Sequence, residues 1–255
     1  MRSYRRLIVV PLVLLVAPLV AGPAGAGHSW AGFHWARTSN TFTLQLGDNV
    51  SPAWDGYLAT ASVDWSESTV LDTGVVPGAS SPKRCNATLG RVQVCNSTYG
   101  RNGWLGLASV WASDSHITQA TVKLNDTYFN LSGYNTPAWR QSVTCQEIGH
   151  TLGLGHNDED FKTVIGTCMD YANDPTANQH PDAHDYEQLE NIYGHADGGT
   201  TVASQSAASR AAAAELHSQA DWGRALRYDS RGRPVVFQRD LGGQQTLTTF
   251  VTWAY

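Results

Sequence analysis

Charge is scarce in this chain: 15% of its 255 residues are charged, and Asp and Glu outnumber Lys and Arg by 22 to 17. No basic stripe interleaved with aromatics occurs, which excludes the usual footprint of nucleic-acid binding and of attachment to anionic membranes. A long apolar run is also missing. Leu7 to Val20 is apolar but is interrupted by Pro11 and Pro18, and it falls short of the roughly 20 residues of a spanning helix. With Arg2, Arg5 and Arg6 ahead of it and Ala24-Gly25-Ala26 behind it, residues 1–26 read as a secretory signal peptide rather than an anchor. Its removal takes away three positive charges and no negative one, moving the formal charge from -5 to -8. An acidic, extracellular protein is expected. The sequence has no C-x-x-C pair either, so Cys85, Cys95, Cys145 and Cys168 are poor candidates for metal ligands. In an oxidising compartment they should pair, in one of three connectivities.

What the chain does contain is core material, with 42% hydrophobic residues and nine Trp, ample for one or two domains. Thr41–Leu46 alternates polar and apolar and reads as a strand ending at Gly47. Ser51 and Pro52 supply an N-cap and first-turn proline for a helix through Trp65, with Trp54, Leu58, Ala61 and Trp65 at core spacing. Further strands are predicted at Val70–Val76, Arg91–Cys95, Trp104–Trp111 and Ile117–Leu124. Thr136-Pro137 opens a second helix in the same way. The composition turns to Gly, Ser, Thr, Gln and Ala from Gly198. Residues 198–220 therefore read as a linker, with a possible short helix in the Ala-rich run Ala207 to Glu215. Residues 221–255 suggest a small three-stranded sheet, marginal by itself and expected to dock as an appendage.

The stretch that carries chemistry is Gln146-Glu147-Ile148-Gly149-His150-Thr151-Leu152-Gly153-Leu154-Gly155-His156, followed by Cys168-Met169-Asp170-Tyr171. Helical spacing puts Gln146 and His150 on one face, with Glu147 beside them. Gly153 and Gly155 can end the helix and turn the chain so that His156 approaches the same point.

This pattern resembles the metzincin zinc endopeptidases, whose signature is H-E-x-x-H-x-x-G-x-x-H with a downstream Met-turn. The first His is replaced here by Gln146; Glu147, His150, Gly153, His156 and Met169 match. Leu152–His156 and His184–Gly194 resemble the matrixin branch, and Met169-x-Tyr171 the astacin and serralysin branches. The likeness spans about residues 40–195, most strongly 139–194. It implies an α+β zincin fold over residues 27–197, a mixed sheet with a long active-site helix and a C-terminal helix. It further implies one catalytic Zn2+ held by Gln146, His150 and His156, with Glu147 as general base, Tyr171 assisting the oxyanion and Met169 as floor. Gln146 is a poorer donor than imidazole, so weaker binding is expected, and a catalytically impaired peptide-binding pseudoprotease is the alternative. An edge strand of the family pairs with extended substrate, for which Gly106, Leu107 and Ala108 are the candidates.

The favoured pairings are then Cys85 with Cys95, closing a local loop, and Cys145 with Cys168, tying the ligand helix to the Met-turn. His116 and Asp114 lie where matrixins carry ligands for a structural zinc, but two residues cannot make that site, so none is expected. Asp158-Glu159-Asp160 reads as a solvated acidic cluster, and His180 and His184 as surface or capping residues held in reserve as ligands. No room for a latency propeptide precedes the first strand. Four sequons, Asn86, Asn96, Asn125 and Asn130, matter only in a eukaryotic secretory pathway. The expected partner is a peptide or protein substrate, and the expected state a monomer.

Overall fold

The period-2 run after Asn40 does form a strand, and the sheet grows around it. The computed structural model describes residues 1, 27–203 and 218–255. The signal-peptide segment beyond Met1 and the Ala-rich run of the linker lie outside the described residues.

In chain order the elements are β1 (His34–Trp35), β2 (Phe42–Asn49), α1 (Asp55–Trp65), β3 (Leu71–Pro77), β4 (Val92–Ser97), β5 (Trp104–Ser113) and β6 (His116–Asn125). They continue with α2 (Asp126–Phe129), α3 (Pro137–Thr151), α4 (Ala183–Ile192), β7 (Arg224–Tyr228), β8 (Pro234–Gly242) and β9 (Gln245–Trp253). The architecture is α+β. Among the described residues one mixed sheet runs β3-β2-β4-β6-β5-β9-β8-β7, with β1 beside β6. The pairs β1/β6, β2/β3, β2/β4 and β4/β6 are parallel, whereas β5/β6, β5/β9, β8/β9 and β7/β8 are antiparallel.

The core lies between this sheet and α1 with α3. Trp54, Leu58, Ala61 and Trp65 are all buried, as their spacing predicts, and Trp65 Nε1 donates to Cys145 O of α3 at 3.1 Å. Helix α1 starts later than expected. Ser51 and Pro52 stay in the preceding turn, and the N-cap is Trp54, which makes no side-chain cap bond. At α3 the expectation holds: Thr136 Oγ1 accepts from Trp139 N at 3.2 Å, with Pro137 in the first turn. Both disulfides, Cys85–Cys95 and Cys145–Cys168, are formed.

The C-terminal strands are not a separate small sheet docked on a domain. They extend the main sheet through β9, which pairs with β5 along nearly its whole length. A three-stranded ribbon is marginal alone, and the free edge of β5 offers it backbone hydrogen bonds. The start of the supposed linker is also tied down, because Thr201 N donates to Ala36 O and Ala203 N to Gly90 O.

Candidate active site

Helix α3 delivers Gln146, Glu147 and His150, each 3% exposed or less. Gly153 follows with φ +100°, and a side chain there would meet Phe33 O at 2.1 Å. That left-handed turn is open to glycine at no steric cost, and it brings His156 back against His150, ring centroids 4.6 Å apart and nearly perpendicular. The Cys145–Cys168 bridge holds α3 to the loop carrying Met169, whose sulfur lies under Gly149.

The two imidazoles share one electrostatic state. His150 Nδ1 faces Leu154 O at 2.9 Å, a carbonyl that can only accept, so the proton sits on Nδ1 and Nε2 carries a lone pair. Burial, then the neighbouring His156, hold His150 well below the usual imidazole range, and burial lowers His156 as well. Nε2 of each ring is buried without a hydrogen-bond partner. Two neutral, orphaned imidazole nitrogens suit a borderline-soft metal ion. Glu159 does not lie on a solvated face: its Oε1 is 3.4 Å from His156 Nδ1 and 3.0 Å from Arg227. This orients His156 from behind.

The remaining neighbours come from β9, which sequence reasoning did not place here. Gly106, Leu107 and Ala108 were read as an edge available to substrate, yet they are paired antiparallel with Thr252, Val251 and Phe250. Strand β5 is therefore an interior strand, flanked by β6 and β9. Alternation turns Phe250 and Thr252 toward α3 and Val251 toward the opposite face. Phe250 stacks on His150, centroids 4.2 Å apart and 8° from parallel. Thr252 Oγ1 lies 2.6 Å from Gln146 Oε1 and 2.7 Å from Glu147 Oε1. Burial pushes the Glu147 carboxyl up to about 8, against the Thr252 and Ala108 hydrogen bonds that favour its charged form. Tyr171 stands with its ring 4.5 Å from His156, but its hydroxyl donates to Val251 O at 2.8 Å. The space left beside Gln146 is a cavity of about 10 Å³, at the lower limit for one water.

The reserve histidines stand elsewhere. His180 is exposed and paired with Asp64 at 2.8 Å, and the His184 ring lies 5.1 Å from that of His28, tilted by 43°. His116 does not have Asp114 as its companion, since Asp114 turns the β5–β6 hairpin at φ +52°. His116 lies instead with His34 and Asp197.

No protein-family model matches the sequence, and no curated protein matches it. Among solved structures the chain is similar to that of myroilysin, at 12% identity over 70% of this chain and 88% of that one, with a TM-score of 0.39. A likeness this loose carries neither fold nor activity across, so the chemistry rests on the side chains themselves.

Proposed function

We propose that the chain is a secreted zinc-dependent metalloendopeptidase whose cleft is closed by its own C-terminal strand. The observation that carries this reading is the pair of buried, partnerless Nε2 atoms on His150 and His156, at the end of the helix that also carries Glu147. His150, His156 and the Gln146 carboxamide oxygen would hold the ion. Zinc bound there supplies Lewis acidity, polarising a peptide carbonyl and acidifying water. Glu147 takes and returns the proton of the attacking water, Tyr171 donates a hydrogen bond to the carbonyl oxygen, and β5 holds the peptide backbone extended.

Each of these groups is engaged by β9 in the closed chain. Thr252 occupies Gln146 and Glu147, Val251 occupies Tyr171, and Phe250–Thr252 occupy the backbone of β5. Withdrawal of one strand would free them all together, so β9 takes the part that a propeptide plays in a latent enzyme. The apolar run and the two disulfides support export to an oxidising compartment.

A pseudoprotease that binds peptides through the same cleft is favoured by one observation, the tight Gln146–Thr252–Glu147 cluster where a metal and a water would stand. Zinc content and peptide-library cleavage distinguish the two, measured on the intact protein, Phe250→Ala, a chain ending at Ala203, and Glu147→Ala and Gln146→His made in each. Zinc binding with cleavage that rises when β9 is weakened or removed, and that disappears with Glu147→Ala, supports the enzyme. Zinc and cleavage that arise only with Gln146→His would sink it in favour of the pseudoprotease.

A further inference from the structure

A second group of imidazoles lies outside this cleft. His34 on β1, His116 at the start of β6, and His195 and Asp197 beyond α4 come from three distant parts of the chain. Asp197 Oδ1 is 3.3 Å from His34 Nε2, 3.4 Å from His116 Nε2 and 3.3 Å from His195 Nε2. His195 Nε2 is also 3.3 Å from His34 Nε2. Four tetrahedral donors about 2.0–2.1 Å from a zinc ion stand about 3.3–3.4 Å from one another. Four of the six separations match that edge; the ligand atoms of His34, His116 and Asp197 all lie within 4.8 Å of one another, and His195 adjoins this group through His34 and Asp197.

The outer partners fix which atoms face the centre of the group. His34 Nδ1 faces Gly32 O at 2.7 Å and must donate to it. That turns Nε2 toward Asp197 Oδ1 and His195 Nε2. Oδ2 of Asp197 is already satisfied by Arg37 N and Nη1, both at 3.0 Å. Oδ1 is left to the three imidazoles, whose Nε2 atoms converge on it as donors to one ion would. The Gly32 carbonyl and the Arg37 guanidinium orient His34 and Asp197 from behind, as outer partners do at metal sites. The His34 and Asp197 side chains are 7% and 9% exposed, while those of His116 and His195 are 39% and 52% exposed, which gives an ion a way in.

We propose that His34, His116, His195 and Asp197 form a structural site for a divalent transition metal, zinc by its three-imidazole, one-carboxylate donor set. With all four positions filled by protein it has no open place for substrate, the mark of a structural rather than a catalytic ion. It pins the two-residue β1, the β5–β6 hairpin and the segment after α4 to one point. The site stands on its own residues and does not depend on the cleft holding zinc.

The test compares the full-length protein with His116→Gln/His195→Gln, a variant confined to the two exposed ligands, after zinc loading and removal of excess metal. The variant is expected to hold one equivalent less zinc than the wild type, whether the wild type holds one or two. Chelation should lower Tm in the wild type and have a smaller effect in the variant. Cobalt loading should give the visible absorption of a tetrahedral site in the wild type, reduced by one site in the variant. A wild type that binds no metal, or equal stoichiometry in the two proteins, would overturn the assignment and leave a hydrogen-bonded histidine cluster.

Discussion

Thr252→Val isolates the contact by which the C-terminal strand closes the cleft. One hydroxyl hydrogen stands between two acceptors, Gln146 Oε1 at 2.6 Å and Glu147 Oε1 at 2.7 Å. It cannot serve both, so the second bond needs a proton on Glu147, whose carboxyl burial raises to about 8. In the neutral form hydrogen bonds run from Glu147 to Thr252 Oγ1 and from Thr252 to Gln146 Oε1; in the charged form Thr252 donates to Glu147 and Gln146 Oε1 loses its donor. Valine keeps the volume and breaks both links. A buried polar group left without a partner costs about 1–3 kcal/mol, and two cost about twice that. At about 2–4 °C per kcal/mol for a chain of this size, Tm of the metal-free protein should fall by roughly 5–20 °C near neutral pH. Glu147→Gln behaves differently, because its carboxamide supplies a permanent N–H donor to Thr252 and should hold Tm at or above the wild-type value. The measurement is thermal unfolding followed by near-ultraviolet circular dichroism. A Thr252→Val protein that melts with the wild type, or a Glu147→Gln protein that falls as far as Thr252→Val, would refute the proton assignment.

Cys145→Ser/Cys168→Ser opens a loop of sequence separation 23 and should cost about 3 kcal/mol, read as a lower urea midpoint with a slope that is equal or steeper, because the unfolded chain expands. Gly149→Ala should destabilise by about 1–3 kcal/mol through overpacking, although Ala is the better helix former, because the added carbon meets Met169 Sδ at 2.5 Å and Trp65 at 2.6 Å. Pairing it with Met169→Ala should recover part of that loss relative to Met169→Ala alone; full additivity in urea titrations would show that the two do not meet. Burial raises the Asp170 carboxyl from 3.8 to about 6, opposed by hydrogen bonds from Ile165 N and Asn178. The native state keeps this proton longer than the unfolded chain, so its contribution is full below the unfolded value and is lost as pH rises through the folded one. The slope is at most about 1.4 kcal/mol per pH unit. Asp170→Asn should flatten that fall in a series of urea midpoints against pH.

The helix-borne part of the site was legible because its geometry is local. Gln146, Glu147 and His150 share a face by spacing, and Gly153 makes the turn that the pattern requires. Partners drawn from elsewhere in the chain were not legible. Phe250 and Thr252 lie more than 90 residues beyond His156, and nothing in the Gln245–Trp253 alternation says which sheet edge it will join. The usable signal was thermodynamic. A three-stranded ribbon too small to stand alone needs a host edge, and β5, with an unpaired side next to α3, was the edge on offer. The His34–His116–His195–Asp197 cluster escaped for the same reason: its members carry no short spacing motif, and only the sheet and the chain path past α4 bring them together. Met169 beneath α3 and Thr136 at its N-cap were readable because each depends on a neighbour within one element or one disulfide.

The energetics of β9 set how its cleft can be opened. Leu247, Phe250 and Val251 are each 1% exposed or less, and withdrawing such side chains into water costs about 1.5–3 kcal/mol apiece. The apolar term alone comes to about 5–9 kcal/mol, the same order as the stability of a whole domain. At about 1.4 kcal/mol per tenfold, a chain open by thermal fluctuation is rarer than about one in a thousand. Fast breathing of a lid is therefore not available to this fold. On the proposed reading, activity requires the strand to be removed or displaced by another strand that pairs with β5 and supplies equivalent apolar contacts. A peptide substrate that merely extends along β5 without an aromatic or branched residue in the place of Phe250 cannot repay that cost.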